Sequence, residues 1–134
     1  MPNKIFVDTS FVIALVNRND QYHEAAIRLS HNLESAALLT SSGVLLEIGN
    51  GLAKRYRDSA IEIIDLFLSA DNIEIIAIDE KLFIAGLMNY KKYSDKNWGL
   101  VDCISFAIMR EHGIEEVLTF DYDFEQAGFT VLHD

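Results

Sequence analysis

Short apolar segments separated by longer amphipathic ones constrain the fold more than any other feature of this sequence. Four of them, KIFVD, AALLT, IEIIAI and EVLTF, have the length of strands, and FTVL is a fifth candidate. Strands that are apolar without alternation are typical of a parallel sheet buried on both faces. Because helical patterns fill the stretches between them, the sequence predicts an α/β fold with helices on both faces of a mainly parallel sheet.

The stretches between the strands have the apolar spacing of helices. The first helix is predicted from about Ser10 to Val16, and a second, through DQYHEAAIRLSHNLE, has Asp20 as its predicted N-cap. Further along, Asp79 begins a helix in DEKLFIAGLMNYKKY, and Gly113 closes one in LVDCISFAIMREHG. The two middle helices have predicted apolar faces formed by Val44, Leu45, Ile48 and Leu52 and by Ile61, Ile63, Ile64, Phe67 and Leu68.

Length and composition are those of a single-domain protein. The 134 residues fit one domain, residues 1–134, and half of them are hydrophobic, which is enough for a core. No apolar stretch is long enough to cross a bilayer and the first residues lack an export signal, so we expect a cytoplasmic protein without membrane attachment. Cys103 is the only cysteine, which excludes an internal disulfide and a thiolate zinc cage and predicts a small core residue.

The formal net charge of −10 has two explanations. Proteins that bind nucleic acid usually have a basic face, so the charge alone argues against such a partner. A site that holds its substrate through divalent cations nevertheless needs clustered carboxylates, and part of the acidity would then serve the chemistry.

Four carboxylates are predicted to converge near one edge of the sheet. Asp8 ends the first strand and Asp121 follows the fourth, and the carboxyl ends of parallel strands border the groove in which ligands bind. Glu47 lies on the edge of an apolar helical stripe, and Asp102 lies in the first turn of the most apolar helix. Crowded acids between low-dielectric walls either take up protons or are neutralised by a cation, and carboxylate oxygens suit Mg²⁺ or Mn²⁺.

Each of these acids also has a purely structural explanation. Asp8 and Asp121 belong to a residue type that commonly caps a helix or begins a turn. Asp102 complements a helix N-terminus without any metal, and Glu47 is of a type that is usually exposed. Taken one at a time the residues leave both explanations open, and only their joint placement favours a metal site.

The motifs FVDTSFVIAL, LLEIGNGL, YSDKNWGLVDCISFAIM and VLTFDYDFEQAGF follow one another along nearly the whole chain. In this order they resemble the motifs of PIN domains, particularly the VapC-like ribonuclease toxins of type II toxin-antitoxin pairs. The resemblance implies a three-layer α/β/α sandwich like that of flap endonucleases. It also implies a Mg²⁺- or Mn²⁺-dependent endoribonuclease that leaves a 5′-phosphate and a 3′-hydroxyl, commonly a homodimer that a cognate antitoxin restrains.

The acidic positions of that family correspond to Asp8, Glu47, Asp102 and Asp121, which the resemblance implies as catalytic metal ligands. Its small hydroxyl position after the first acid corresponds to Thr9 or Ser10, whose side chain would orient a ligand carboxylate or an attacking water.

The sequence departs from the family pattern at two places. Many relatives have a serine or threonine a few residues before the third acid, where this chain has Trp98 and Gly99. Many have a histidine two residues after the fourth acid, where this chain has Asp123. We expect Asp123 to face solvent or stabilise a turn, although a fifth carboxylate could also supplement the metal site. Asp95 is expected to be an ordinary loop acid.

Two basic segments of the sequence are candidates for contacts with RNA. AKRYR and YKKYSDK combine cations with tyrosines, which suits either RNA contacts or solvated helix ends, and the second explanation is the commoner one. The leading hypothesis is an endoribonuclease with an antitoxin partner. The alternatives are a PIN-like module that binds RNA or protein without cutting, and a metal-dependent DNA nuclease or phosphatase.

Overall fold

A computed structural model describes residues 3–134, and this range contains five strands and seven helices. The strands are β1 (Lys4–Val7), β2 (Ala37–Ser41), β3 (Ile73–Ile76), β4 (Glu116–Leu118) and β5 (Thr130–Val131). The helices are α1 (Thr9–Val16), α2 (His23–Ser30), α3 (Ser42–Gly51), α4 (Arg57–Ser69), α5 (Glu80–Lys92), α6 (Leu100–Glu111) and α7 (Asp123–Gln126). Every predicted strand and helix has a counterpart, and the short helix α7 is additional.

All the strands pair in parallel, in the order β3-β2-β1-β4-β5. The chain adds β2 and β3 on one side of β1 and then places β4 and β5 on the other side. Helices α1 to α4 contact one another, whereas α5, α6 and α7 form a second group. The predicted α/β/α sandwich around a parallel sheet is therefore confirmed. The strand order reverses between β1 and β4, which is where open α/β sheets form a ligand crevice.

The core lies on both sides of the central strands. Residues from the strands and from the inner faces of the helices are fully buried there, among them Phe6, Leu39, Val117, Val12, Ile48, Ile108 and Met109. The predicted apolar face of α3 is confirmed, because Val44, Ile48 and Leu52 are buried and Leu45 packs against the core. Cys103 is buried with a free thiol, as expected.

An aromatic cluster of Trp98, Phe106, Phe124 and Phe129 joins α6 to α7 and β5. The ring of Phe106 meets Trp98 and Phe124 edge-on, with ring centroids 5.1 Å and 4.9 Å apart, and it lies 5.7 Å from Phe129. The indole N–H of Trp98 donates to Oε1 of Gln126 at 2.9 Å. This cluster packs α6 against α7 and the start of β5.

Helices α5 and α6 approach closely at a glycine. A Cβ atom at Gly86 would lie 3.0 Å from the Cα atom of Ile104 and 2.3 Å from its Cγ1 atom. A larger residue would therefore push α6 away from α5. Since α6 carries Asp102, this contact helps to position one of the predicted site residues.

The structure confirms two predicted helix ends and corrects a third. Asp79 caps α5 by accepting the N–H of Leu82 at 2.8 Å, and Gly113 follows α6 with a φ of +66°. Asp20, in contrast, is not an N-cap, because α2 begins only at His23. Its Oδ1 atom accepts the N–H of Tyr22 at 2.8 Å, which stabilises a turn ahead of the helix.

The predicted apolar face of α4 is partly wrong. Phe67 is buried and Ile63 and Ile64 pack against the core, but Ile61 is 53% exposed and Leu68 is 64% exposed. Apolar residues surround more of this helix than the core can cover, so the periodicity alone overestimated the buried face. Among residues 3–134, no helix combines the length and the apolar character that a bilayer crossing requires.

Candidate active site

The neighbouring strands β1 and β4 end at the candidate site. Asp8 follows β1 directly, and its backbone N–H donates to the carbonyl oxygen of Leu118, the last residue of β4, at 3.0 Å. Thr119 and Asp121 come next along the chain after Leu118. Asp8 and Asp121 therefore lie at the reversal of strand order, in the groove that the sequence predicted.

Two hydroxyl groups hold the carboxylate of Asp8. Its Oδ2 atom accepts the hydroxyl of Thr119 at 2.7 Å and that of Ser10 at 2.8 Å. The Ser10 oxygen in turn accepts the N–H of Phe120, and the Thr119 oxygen accepts the N–H of Asp121, each at 2.9 Å. Because backbone groups orient both hydroxyls, the Asp8 side chain has a fixed position before any ligand binds.

Asp8 is 3% exposed, and this burial dominates its electrostatics. Burial raises the pKa of the Asp8 carboxyl, the hydrogen bonds from Thr119 and Ser10 partly lower it, and the negative charge of Asp121 raises it further. Asp8 is also the N-cap of α1, where it accepts the N–H of Ser10 at 3.4 Å. Asp8 thus both caps α1 and lies in the groove.

Three carboxylates form a cluster in this groove. Oxygen atoms of Asp102, Asp121 and Asp123 all lie within 4.8 Å of one another. Asp102 lies in the first turn of α6 and accepts the N–H of Gly99 at 3.1 Å, and Asp123 begins α7 and donates its N–H to Oδ1 of Asp121 at 2.9 Å. Within the described part of the chain, no lysine or arginine forms an ion pair with these acids. The donor set of hard oxygens fits Mg²⁺ or Mn²⁺.

Burial and neighbouring negative charges both raise the pKa of Asp102. Burial is the main cause that raises its pKa to about 7, the charges of Asp8 and Asp121 come next, and the charge of Asp123 adds to them. The N–H of Gly99 acts in the opposite direction. Burial and the charge of Asp121 also raise the pKa of Asp123. The groove therefore favours either a bound proton or a cation.

Glu47 and Thr9 form a separate pair beside the cluster. The hydroxyl of Thr9 donates to Oε1 of Glu47 at 2.6 Å, which links α3 to the residue after Asp8. Glu47 is exposed and is not one of the three clustered acids. The structure thus places Asp8, Asp102 and Asp121 around one groove, with Glu47 joined to it through Thr9.

Asp123 and Asp95 have different environments. We expected Asp123 to face solvent or serve a turn, and its backbone N–H does take part in a local turn by donating to Oδ1 of Asp121, but one of its side-chain oxygens also belongs to the cluster. Asp95, whose side chain is 72% exposed, lies 3.6 Å from the ammonium group of Lys96 in the loop after α5. Asp95 therefore has the environment of an ordinary loop acid.

The basic segments lie on the surface, outside the acidic cluster. Lys54 and Arg55 are exposed between α3 and α4, and Lys91 and Lys92 are exposed at the end of α5, with the Lys92 ammonium 5.3 Å from the centre of the Tyr93 ring. These positions are the ends of helices, as the commoner explanation expected.

Thr119 is the site residue that the sequence analysis missed. It is buried and donates to Asp8, yet it looks like any polar residue at the end of a strand. Only the register between β1 and β4 shows that Thr119 lies next to Asp8. Val7 pairs with Leu118, so the residues that follow them, Asp8 and Thr119, must be neighbours. Pairing partners are set by the whole sheet, and the sequence alone did not specify them.

Asp102 is expected to make stability depend on pH in metal-free buffer. A folded-state pKa of about 7 lies above the unfolded value of 3.8, so folding favours the protonated form. The resulting stability is fully present below about pH 4 and is lost as the pH rises through 7. Asn at this position has no such titration. The unfolding free energy of Asp102→Asn, measured relative to the unsubstituted chain, should therefore be about 2–4 kcal/mol higher above pH 7 than below about pH 4. Urea unfolding of both proteins in EDTA at several pH values measures the difference.

Asp95→Asn is the control for that experiment, because the exposed Asp95 carboxylate lies outside the cluster. Its difference from the unsubstituted chain should change little with pH. A difference for Asp102→Asn that is equally independent of pH would contradict the crowding of negative charge around this residue.

Comparisons with known proteins agree with this fold. The chain is 32% identical over 125 residues to the "23S rRNA-specific endonuclease VapC20" of Mycobacterium tuberculosis, covering 93% of this chain and 95% of that protein. The crystal structure of M. tuberculosis VapC20, described as a "Sarcin-Ricin loop cleaving toxin", superposes with a TM-score of 0.88 at 30% identity and covers 97% and 99% of the two chains.

More distant structures share the fold alone. VapBC2 from Rickettsia felis, bound to a promoter DNA fragment, matches with a TM-score of 0.68 at 17% identity over 96% of this chain and 97% of that one. The family description "PIN domain" matches residues 5–130. Together with the relative that is 32% identical over nearly the whole chain, this match shows that the chain belongs to the PIN-domain family.

Proposed function

We propose that this chain is a metal-dependent endoribonuclease that hydrolyses RNA phosphodiester bonds, and that it is the toxin of a type II toxin-antitoxin pair. The observation that carries the proposal is the acidic groove, in which Asp102, Asp121 and Asp123 approach within 4.8 Å beside the buried Asp8. It is supported by the 32% identity to a protein named as a 23S rRNA-specific endonuclease.

We propose Mg²⁺ or Mn²⁺ as the cofactor, held by Asp102, Asp121 and Asp123 directly or through water. Asp8 would act as a further ligand or as a fixed negative charge next to the ion. Glu47 would reach the ion's hydration shell from the rim, with Thr9 holding one of its oxygens. A bound cation would then neutralise the carboxylates, which repel one another in its absence.

When bound, such an ion would activate a water molecule and neutralise charge that develops on the phosphodiester. The chain's own residues prepare the groove for this. Ser10 and Thr119 hold Oδ2 of Asp8 in one orientation, and the N–H of Gly99 holds Oδ2 of Asp102. Preorganised groups need no reorganisation during the reaction, which lowers its barrier. We expect products with a 5′-phosphate and a 3′-hydroxyl.

A protein partner is the second part of the proposal. Several large apolar side chains on the outer faces of three helices are exposed, among them Leu46 on α3, Leu66 and Leu68 on α4 and Ile84 and Met88 on α5. Such surfaces commonly take part in protein contacts. These exposed apolar side chains support association with a second copy of the chain or with an antitoxin. Light scattering of the purified protein measures whether two copies associate.

RNA cleavage with and without metal tests the proposed reaction. Labelled RNA that contains the sarcin-ricin loop of 23S rRNA should be cut in Mg²⁺ or Mn²⁺ and left intact in excess EDTA, because the acids cannot bind phosphate without a cation. End analysis should find a 5′-phosphate. Single-stranded DNA, flapped DNA and a phosphomonoester are the matched alternative substrates.

Each alternative function has its own outcome in that experiment. Cutting of DNA or of the phosphomonoester in preference to RNA would assign the groove to another hydrolase. Binding of RNA without cutting in either metal would identify a binding module, and the endoribonuclease proposal would then be abandoned.

A further inference from the structure

A cavity of about 690 Å³ opens beside the acidic groove. Ser10 and Asp121, which belong to the groove, form part of its lining, and Tyr22, Phe120 and Tyr122 supply aromatic walls. Its volume lies within the ~300–1,000 Å³ that is usual for small-molecule sites. A ligand in this cavity would therefore lie next to the proposed reaction centre.

An aromatic stack, formed by Phe11, Phe120 and Tyr22, leads from the core to this cavity. The centroids of Phe11 and Phe120 are 6.2 Å apart with ring planes inclined by 24°, and those of Phe120 and Tyr22 are 4.7 Å apart with planes inclined by 1°. Phe11 is buried, whereas Tyr22 is 41% exposed. The outermost ring of a stack that begins in the core is thus partly accessible to a ligand in this cavity.

Backbone contacts fix this stack before any ligand binds. The N–H of Tyr22 donates to Asp20 at 2.8 Å, and the N–H of Phe120 donates to the same Ser10 oxygen that lies 2.8 Å from Asp8. The backbone of Phe120 is therefore joined to Asp8 through the Ser10 side chain. A ring held in this way loses little conformational entropy when a ligand stacks on it.

The negative charge of the cavity lining favours an uncharged base over a phosphate group. Asp20 and Asp121 face the cavity, and its lining contains no lysine or arginine among the described residues. A phosphate would be repelled there, whereas an uncharged base would not. Gln21 also lines the cavity, and its amide offers both a donor and an acceptor to a base edge.

We propose that this cavity is a nucleobase subsite, in which the base beside the phosphate to be cut leaves its own stack and lies against Tyr22, with Tyr122 as a second wall. The inference rests on the proposed function for the position of that phosphate. It deepens that function by assigning a base contact to residues outside the acidic cluster, which requires that the bound base be unpaired. Tyr22 and Tyr122 are binding residues in this assignment.

Substitution of Tyr22 tests the subsite. Tyr22→Leu should lower kcat/KM for an RNA loop about 5- to 100-fold, the range expected from loss of one stacked base. Tyr22→Phe, which keeps the ring, should stay within about twofold. Tyr122→Leu, at a more exposed position, should also lower kcat/KM. Tyr90→Leu is the matched control, because Tyr90 is an exposed tyrosine on α5 that does not line the cavity.

An RNA that lacks the base next to the cut separates base recognition from a general structural effect. Removing that base should slow the unsubstituted enzyme by about the same factor as Tyr22→Leu, and it should slow the Tyr22→Leu enzyme little further. Equal slowing of both enzymes, or full activity of folded Tyr22→Leu on the intact RNA, would overturn the subsite while leaving the proposed function in place.

Binding without cleavage keeps the two proposals distinguishable. In EDTA, an uncharged nucleoside should shift the NMR signals of the Tyr22 and Tyr122 rings, and ribose alone should not. If the unsubstituted chain cleaves no RNA in any metal, the proposed function fails and this titration still decides the subsite. Ring signals that move equally with both ligands, or with neither, would overturn it.

Discussion

Asp102→Asn is expected to lower kcat for RNA cleavage by about 10²–10³-fold while leaving the protein folded, a loss comparable to that of one preorganised polar group in an active site. Asparagine retains an oxygen that can accept the N–H of Gly99, so the first turn of α6 should persist. It lacks the negative charge that a divalent ion requires from this position. Single-turnover cleavage in Mn²⁺ and the circular dichroism spectrum measure the two effects.

The combination of a more stable and less active variant is specific to a crowded metal site. Burial and then the charges of Asp8 and Asp121 disfavour the ionised form of Asp102 in the absence of a cation, so the Asn variant should be at least as stable as the unsubstituted chain in EDTA. Divalent ions should raise the melting temperature of the unsubstituted chain and have a much smaller effect on the variant. Asp95→Asn, an exposed acid of the adjoining loop, should change neither property.

Full cleavage activity of folded Asp102→Asn would remove this residue from the proposed site. In that case Asp121→Asn and Asp123→Asn would show whether the other two clustered acids suffice. Activity in all three variants would mean that the cluster does not hold the catalytic ion.

Phe106→Ala is expected to lower the free energy of unfolding by about 3–5 kcal/mol, the usual cost of removing a buried phenylalanine ring. Phe106 is fully buried at the centre of the aromatic cluster, and its ring meets the rings of Trp98 and Phe124. The cavity left by the ring cannot be filled without moving α6 against α7. Urea unfolding followed by circular dichroism measures the change.

Phe83→Ala is the matched control, because Phe83 is partly exposed on α5. Its loss should cost much less than that of Phe106. A cost below about 1 kcal/mol for Phe106→Ala would mean that the neighbouring rings repack freely, contrary to the dense packing that protein cores normally have.

Local patterns predicted most of the fold, because each element carries its own signal. The apolar runs around Phe6 and Leu39 have the length and composition of buried strands, and Asp79 and Gly113 mark helix ends by their own chemistry. The errors arose where burial depends on distant neighbours. Ile61 and Leu68 have helical spacing, but nothing in that spacing says how much of α4 the rest of the protein covers.

The candidate site was predictable only to the extent that strand ends meet in a parallel sheet. That rule placed Asp8 and Asp121 in one groove, helix positions pointed Glu47 and Asp102 toward it, and the family resemblance implied the same four acids. None of these signals specified which carboxylates come within a few ångströms, so Asp123 was expected to face solvent or stabilise a turn although it also belongs to the cluster. Thr119 was missed because its role depends on the register between β1 and β4.

The central position of β1 delays assembly of the groove during synthesis. The first strand pairs with β4, and Asp8 receives its hydrogen bond from Thr119, more than a hundred residues later in the chain. Until β4 and α7 have emerged from the ribosome, Asp8 lacks Leu118 and Thr119 as partners, and Asp102 lacks the other two acids of the cluster. We therefore expect a nascent chain stalled before residue 119 to have no assembled groove and to cleave no RNA.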